Sequence, residues 1–132
     1  PCTVEGMKAC KTLSFMGVRV NMTLVFSVEQ AILCALAGAT YVSPFIGRLD
    51  DNGGDGIGLI RDIAKVFCHN RTDCKILAAS IRDRRMVGKA FASGAHICTV
   101  PTSVFDDMFK HELTDKGHLQ FLVDSGQYID KR

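Results

Sequence analysis

The hydrophobic pattern switches between period two and helical spacing four times along the chain. Apolar strand-like stretches start near residues 18, 41, 75 and 96, and each is followed by a segment with apolar residues three and four apart. A strand that recurs only after a helix cannot pair through a tight hairpin. It must run parallel to its predecessor, joined by a crossover that is right-handed. The chain therefore reads as α/β, built from βαβ units around a parallel sheet. No low-complexity tract or linker divides it, so residues 1–132 read as one unit.

A helix over Glu5–Phe15 comes first, ending at Gly17, with Met7, Cys10, Leu13 and Ser14 on one face. The first strand is expected over Val18–Phe26. Strict alternation there puts Val18, Val20, Met22, Leu24 and Phe26 on one side and Arg19, Asn21, Thr23 and Val25 on the other. Ser27-Val28-Glu29-Gln30 is a capping box, and the helix it opens carries Ile32, Leu33 and Leu36 and stops at Gly38. Tyr41–Ile46 is the second strand, with Pro44 acceptable near a strand end. A polar, Gly-rich loop is expected over Arg48–Gly58. Its Gly53-Gly54-Asp55-Gly56 run lacks Walker spacing and reads as a flexible connection. A helix through Ile57, Ile60, Ile63, Ala64 and Phe67 follows, then a strand over Lys75–Ile81, a helix over Arg84–Ala92 and a strand over His96–Val100. Ser103–Lys110 and Asp115–Val123 are helical.

Two architectures fit four such units: a small doubly wound sheet, or four units of an eight-unit TIM (βα)8 barrel. Polar residues choose between them. Asn21 and Thr23 share a face toward the end of the first strand, and Ser43 and Phe45 share one on the second, with Arg48 just beyond. Ser80 closes the third strand, and Arg82 follows. Polar groups at the C-terminal ends of successive parallel strands form the catalytic rim of a barrel. An open sheet concentrates its ligand at one switch point.

Each residue also has a plainer reading. Asn21 and Thr23 can be solvated strand residues, although Asn is depleted in strands. Arg48 and Arg82 can sit in surface ion pairs, with Asp50 and Asp51 as partners of Arg48. Phe45 can be core. Taken together, two arginines and Ser80 at one rim make an anion site, because the planar guanidinium fork suits phosphate.

Composition excludes several classes. Net charge is +2 with the basic residues scattered, which disfavours a nucleic-acid stripe or a membrane-binding face. The longest apolar runs, such as Ala31–Ala37, are too short to cross a bilayer. The six cysteines contain no C-x-x-C pair and read as reduced in a cytoplasmic protein. The four histidines lack ligand spacing, so no metal site is expected. A first residue of Pro rather than Met suggests a fragment or a processed product.

The stretches Val20–Ser27, Ala37-Gly38-Ala39, Ser43–Arg48, Ala78–Arg82, Thr99-Val100-Pro101 and His111–Asp115 together resemble the transaldolase family. The likeness is strongest to its short, single-domain branch, which includes fructose-6-phosphate aldolase. It runs in order along essentially the whole chain. It implies a (βα)8 barrel in which a lysine forms a Schiff base with a ketose and a dihydroxyacetone unit moves to an aldose phosphate, as in the pentose phosphate pathway. No cofactor is implied. Residue by residue, Asn21 and Thr23 become active-site groups, with Thr23 holding a proton-relaying water. Ser43 and Phe45 line the sugar site, and Arg48, Ser80 and Arg82 bind the substrate phosphate. Phe at 45, where the aldolase branch carries Tyr, and Asn at 21 point to transfer over simple cleavage.

The resemblance also implies that the Schiff-base lysine lies two residues before the position of Pro1. That strand and the earlier ones are then missing from this chain, which by itself is expected to be inactive. Alternatives are an aldolase-like lyase, or a non-catalytic half-barrel that binds phosphosugars. The full-length parent is expected to be a homo-oligomer, with Gly126–Arg132 as a tail that packs on a neighbour or frays.

Overall fold

In a computed structural model describing residues 1–126, the chain is an α/β unit with one four-stranded, all-parallel sheet in the order β1-β2-β3-β4. The strands are β1 (Asn21–Val25), β2 (Tyr41–Pro44), β3 (Lys75–Ala78) and β4 (Ile97–Cys98). The helices are α1 (Val4–Phe15), α2 (Val28–Leu36), α3 (Ile46–Asp51), α4 (Gly56–His69), α5 (Arg84–Ala92), α6 (Thr102–Met108) and α7 (Glu112–Asp124). Of the Gly126–Arg132 tail, residues 127–132 lie outside the described residues.

The ladder sets Met22 beside Val42 and Val42 beside Ile76, and all three are buried. They face α2 and α4, whose Ala31, Cys34, Ile60 and Ile63 are fully buried. Burying such aliphatic side chains contributes roughly 1.5–3 kcal/mol each, and α2, α4 and α5 pack side by side over this face. The opposite face carries exposed Asn21 and Lys75, half-buried Tyr41 and Leu77, and Ile97. A doubly wound sheet needs helices on both faces. The sequential order of the four parallel strands is consistent with part of a barrel.

The capping box at Ser27 forms with a variation. Ser27 Oγ accepts from Gln30 N at 3.2 Å, while Gln30 Oε1 reaches back to accept from Phe26 N at 2.7 Å. Burial pushes the Cys34 thiol up to about 12, and the neighbouring Cys2 adds to the shift, so Cys34 stays protonated at neutral pH. Its sulfur lies 3.9 Å from that of Cys2.

Three expectations need correction. First, the strands are shorter than the apolar runs that mark them. Val18 stands outside β1 and is 46% exposed, and β3 ends at Ala78, not Ile81. Second, alternation fails within β1. Leu24 adopts φ 58° and the pairing register shifts between Met22 and Val25, which turns Val25 into the core on the same side as Met22. Third, the stretch 48–58 is no flexible loop. It holds α3, a tight turn and the start of α4. Asp50 Oδ1 accepts from Gly56 N at 2.6 Å, and Asp55 caps α4 by accepting from Gly58 N at 2.8 Å. A Cβ on Gly56 would meet the Ile46 carbonyl at 2.5 Å, so these elements touch through backbone.

Candidate functional site

Beyond β2 the chain turns directly into α3. Phe45 makes a parallel bridge to Ala79, and Ile46 N donates to the Ala79 carbonyl at 3.0 Å. These bonds lock the first turn of α3 against the end of β3. Ser80 follows, with φ 62°, a left-handed conformation that few non-glycine residues hold. That backbone aims its hydroxyl at α3, where Ser80 Oγ accepts from Arg48 N at 3.1 Å.

Gly47 makes the approach possible. A Cβ there would stand 2.0 Å from the Ser80 carbonyl oxygen and 3.0 Å from both Cγ and Nε of Arg82. The Arg82 side chain therefore passes over the first turn of α3. Its Nη2 donates to Asp51 Oδ2 at 2.5 Å, on the last residue of the same helix. Arg48 Cζ lies 5.1 Å from the centroid of the Phe45 ring, a cation–π distance. Phe26 meets Phe45 edge-on at 6.1 Å. Arg48, Ser80 and Arg82 thus come from two separate connections to one place at the C-terminal end of β2 and β3. Both arginines are exposed to solvent. The planar guanidinium group is a chemical type that suits an oxyanion.

A second pair lies on the strands. Ser43, only 2% exposed, donates from Oγ to Asn21 Oδ1 at 2.7 Å. With that oxygen occupied, the Asn21 amide keeps two N–H donors for a ligand hydroxyl. Asn21 opens β1, level with Tyr41, and so lies at the start of the strand rather than near its C-terminal end as expected from the sequence. Its side chain is what reaches Ser43. Thr23 is half-buried, and its carbonyl accepts from Cys2 N at 2.9 Å. No side-chain hydrogen bond among the described residues draws Thr23 to either group.

Neither Asp50 nor Asp51 partners Arg48, as sequence proximity suggested. Asp50 caps the turn to α4 and Asp51 holds Arg82. The residues missed by sequence reasoning are Gly47, Asp51 and Phe26. Gly47, lying between a predicted strand end and an arginine, was the readable signal for a close backbone approach. Among the described residues, no group of three or more His, Cys, Asp or Glu is placed to hold a metal ion. No described helix is long and apolar enough to cross a membrane.

The family model described as transaldolase/fructose-6-phosphate aldolase matches residues 1–131. A probable transaldolase from Symbiobacterium thermophilum is 57% identical over 124 residues, covering 94% of this chain and 57% of the relative. A probable transaldolase from Desulforamulus reducens is 53% identical over 131 residues, covering 99% of this chain and 61% of its own. The chain therefore spans a little over half the length of these relatives. Among solved structures, a mandelate oxidase with benzoyl-formic acid aligns with TM-score 0.55 at 22% identity, over 71% of this chain and 28% of that one. A putative lactate oxidase from Pediococcus acidilactici aligns with TM-score 0.57 at 22% identity, over 74% and 27%. At that identity the likeness is one of fold alone.

Proposed function

The chain belongs to the transaldolase/fructose-6-phosphate aldolase family, and from that premise we propose that it forms the phosphate-anchoring half of a (βα)8 barrel that transfers a dihydroxyacetone unit between sugar phosphates. The convergence of Arg48, Ser80 and Arg82 on the first turn of α3 carries this reading. Two exposed arginines and a hydroxyl close to one helix turn are groups of the kind that bind a phosphate dianion.

On this reading the chemistry is that of the lysine which the family resemblance implies two residues before the position of Pro1. Its amine adds to the ketose carbonyl and loses water to form an iminium. That cation accepts the electron pair of the breaking C–C bond, and the aldose phosphate leaves. The resulting enamine attacks the aldehyde of a second aldose phosphate, and hydrolysis frees the lysine. Asn21 and Ser43 hold the sugar hydroxyls through the free amide donors of Asn21. Thr23 orients the water that carries protons between lysine and substrate. Phe45 has no hydroxyl to protonate the enamine, so the enamine survives to meet an aldehyde, which favours transfer over aldol release. The parent works without a cofactor, in the cytoplasm, as a homo-oligomer.

On this reading none of the described lysines supplies the amine. Lys8 and Lys11 lie on α1, Lys65 on α4, Lys89 on α5, Lys110 just past α6 and Lys116 on α7. Lys75 opens β3, at the end of the sheet opposite the arginines. Borohydride reduction in the presence of a ketose phosphate, read by mass spectrometry, tests the proposal. The full-length protein should gain one reduced adduct on the lysine before Pro1, and this chain alone should gain none. A full-length protein without an adduct overturns the mechanism, and an adduct on this chain alone overturns the location of the nucleophile.

A further inference from the structure

Two aspartates end α3, where the helix dipole disfavours negative charge. Asp50 has a structural reason to be there, since its carboxylate caps Gly56 N and fixes the turn into α4. Asp51 has none. It is exposed, and among the described residues its side chain meets only Arg82. The two arginines consequently differ. Arg48 lies over the Phe45 ring and is paired with no carboxylate among the described residues, whereas Arg82 is already neutralised.

We propose that Asp51 is a built-in counterion that competes with the ligand phosphate for Arg82 and so limits how tightly the site holds a phosphorylated ligand. The inference rests on the phosphate reading of Arg48, Ser80 and Arg82. Arg82 reaches Asp51 through Nη2, and among the described residues Nε and Nη1 have no hydrogen-bond partner. An arriving phosphate meets a partly occupied guanidinium with a carboxylate beside it. It must share or displace that pair and bear repulsion from Asp51, and binding weakens accordingly. In an enzyme that must release one sugar phosphate and take up another, a loosened anchor speeds exchange. Exposed ion pairs are weak enough for a dianion to displace, so Asp51 tunes the site without blocking it.

The test is the dissociation constant for inorganic phosphate in the full-length protein, measured by calorimetry at low and high salt. Asp51→Asn should bind phosphate roughly threefold to tenfold tighter than wild type, as expected for removing one nearby charge at a solvated site. Screening at about 1 M salt should abolish the gain. Asp51→Glu, which keeps the charge, should stay within about twofold of wild type. In an Arg82→Ala background, Asp51→Asn should change the constant by less than about twofold, because the shared arginine is gone. Equal or weaker binding by Asp51→Asn, with Arg48→Ala still abolishing binding, overturns the counterion role and leaves the phosphate site intact. Wild-type binding that Arg48→Ala and Arg82→Ala leave unchanged, or no binding at all, overturns the site reading itself.

Discussion

Arg48→Ala in the full-length protein should lower kcat/KM for a phosphorylated aldose acceptor by on the order of 10²-fold. The same change should leave the slow reaction of an unphosphorylated acceptor nearly untouched. Arg48 is the site's uncompensated cation, since its guanidinium rests on the Phe45 ring while Arg82 is committed to Asp51. Losing a charge-assisted, two-pronged contact to phosphate costs about 3 kcal/mol, and each 1.4 kcal/mol is a factor of ten. Most of the loss should appear in KM, because phosphate binding is the same before and during C–C bond making. Arg48→Lys should recover only part of it, since an ammonium cannot reproduce the fork. Steady-state kinetics with a phosphorylated and an unphosphorylated acceptor make the check. An equal loss on both would mean that Arg48 acts on the reacting centre or the fold.

Gly47→Ala should be more damaging to structure than any change among the exposed site residues. The added methyl would stand 2.0 Å from the Ser80 carbonyl, a backbone atom already held at φ 62° by its neighbours. It would also press on Cγ and Nε of Arg82 at 3.0 Å. The backbone cannot yield without breaking the Ile46–Ala79 and Arg48–Ser80 hydrogen bonds that fix α3 to the end of β3. A cost of about 3 kcal/mol, or ~10 °C in melting temperature, is expected for overpacking of this kind. Gly53→Ala provides the control. Gly53 has φ +79° but nothing within 4 Å of a Cβ, so only the conformational cost of about 1 kcal/mol applies. Similar melting temperatures for the two variants would contradict the close approach at Gly47.

The alternation of strand and helix was legible because each helix buries one stripe against one sheet face. Met22 and Ile63, which the spacing put on apolar faces, both lie in the core. β1 was misread at its end, since nothing in the sequence marks Leu24 as adopting left-handed φ, and that one residue reverses the facing of Val25. The segment 48–58 was misread because α3 has only six residues, two of them aspartates, and offers too few apolar positions to set a period. Arg48, Ser80 and Arg82 could be named together from their placement after strand ends. Their partners could not. Asp51 stands three residues from Arg48 in sequence, yet it pairs with Arg82 from the next connection. Such a contact depends on how two loops pack, which sequence spacing does not encode.

An amide chemical-shift titration of this chain with inorganic phosphate bears most directly on the central claim, that this half of the molecule anchors the sugar's phosphate. Saturable shifts should concentrate on Gly47, Arg48, Ser80 and Arg82, weaken as salt rises, and vanish in Arg48→Ala. Shifts that scatter over the basic surface, or that persist in Arg48→Ala, would contradict it.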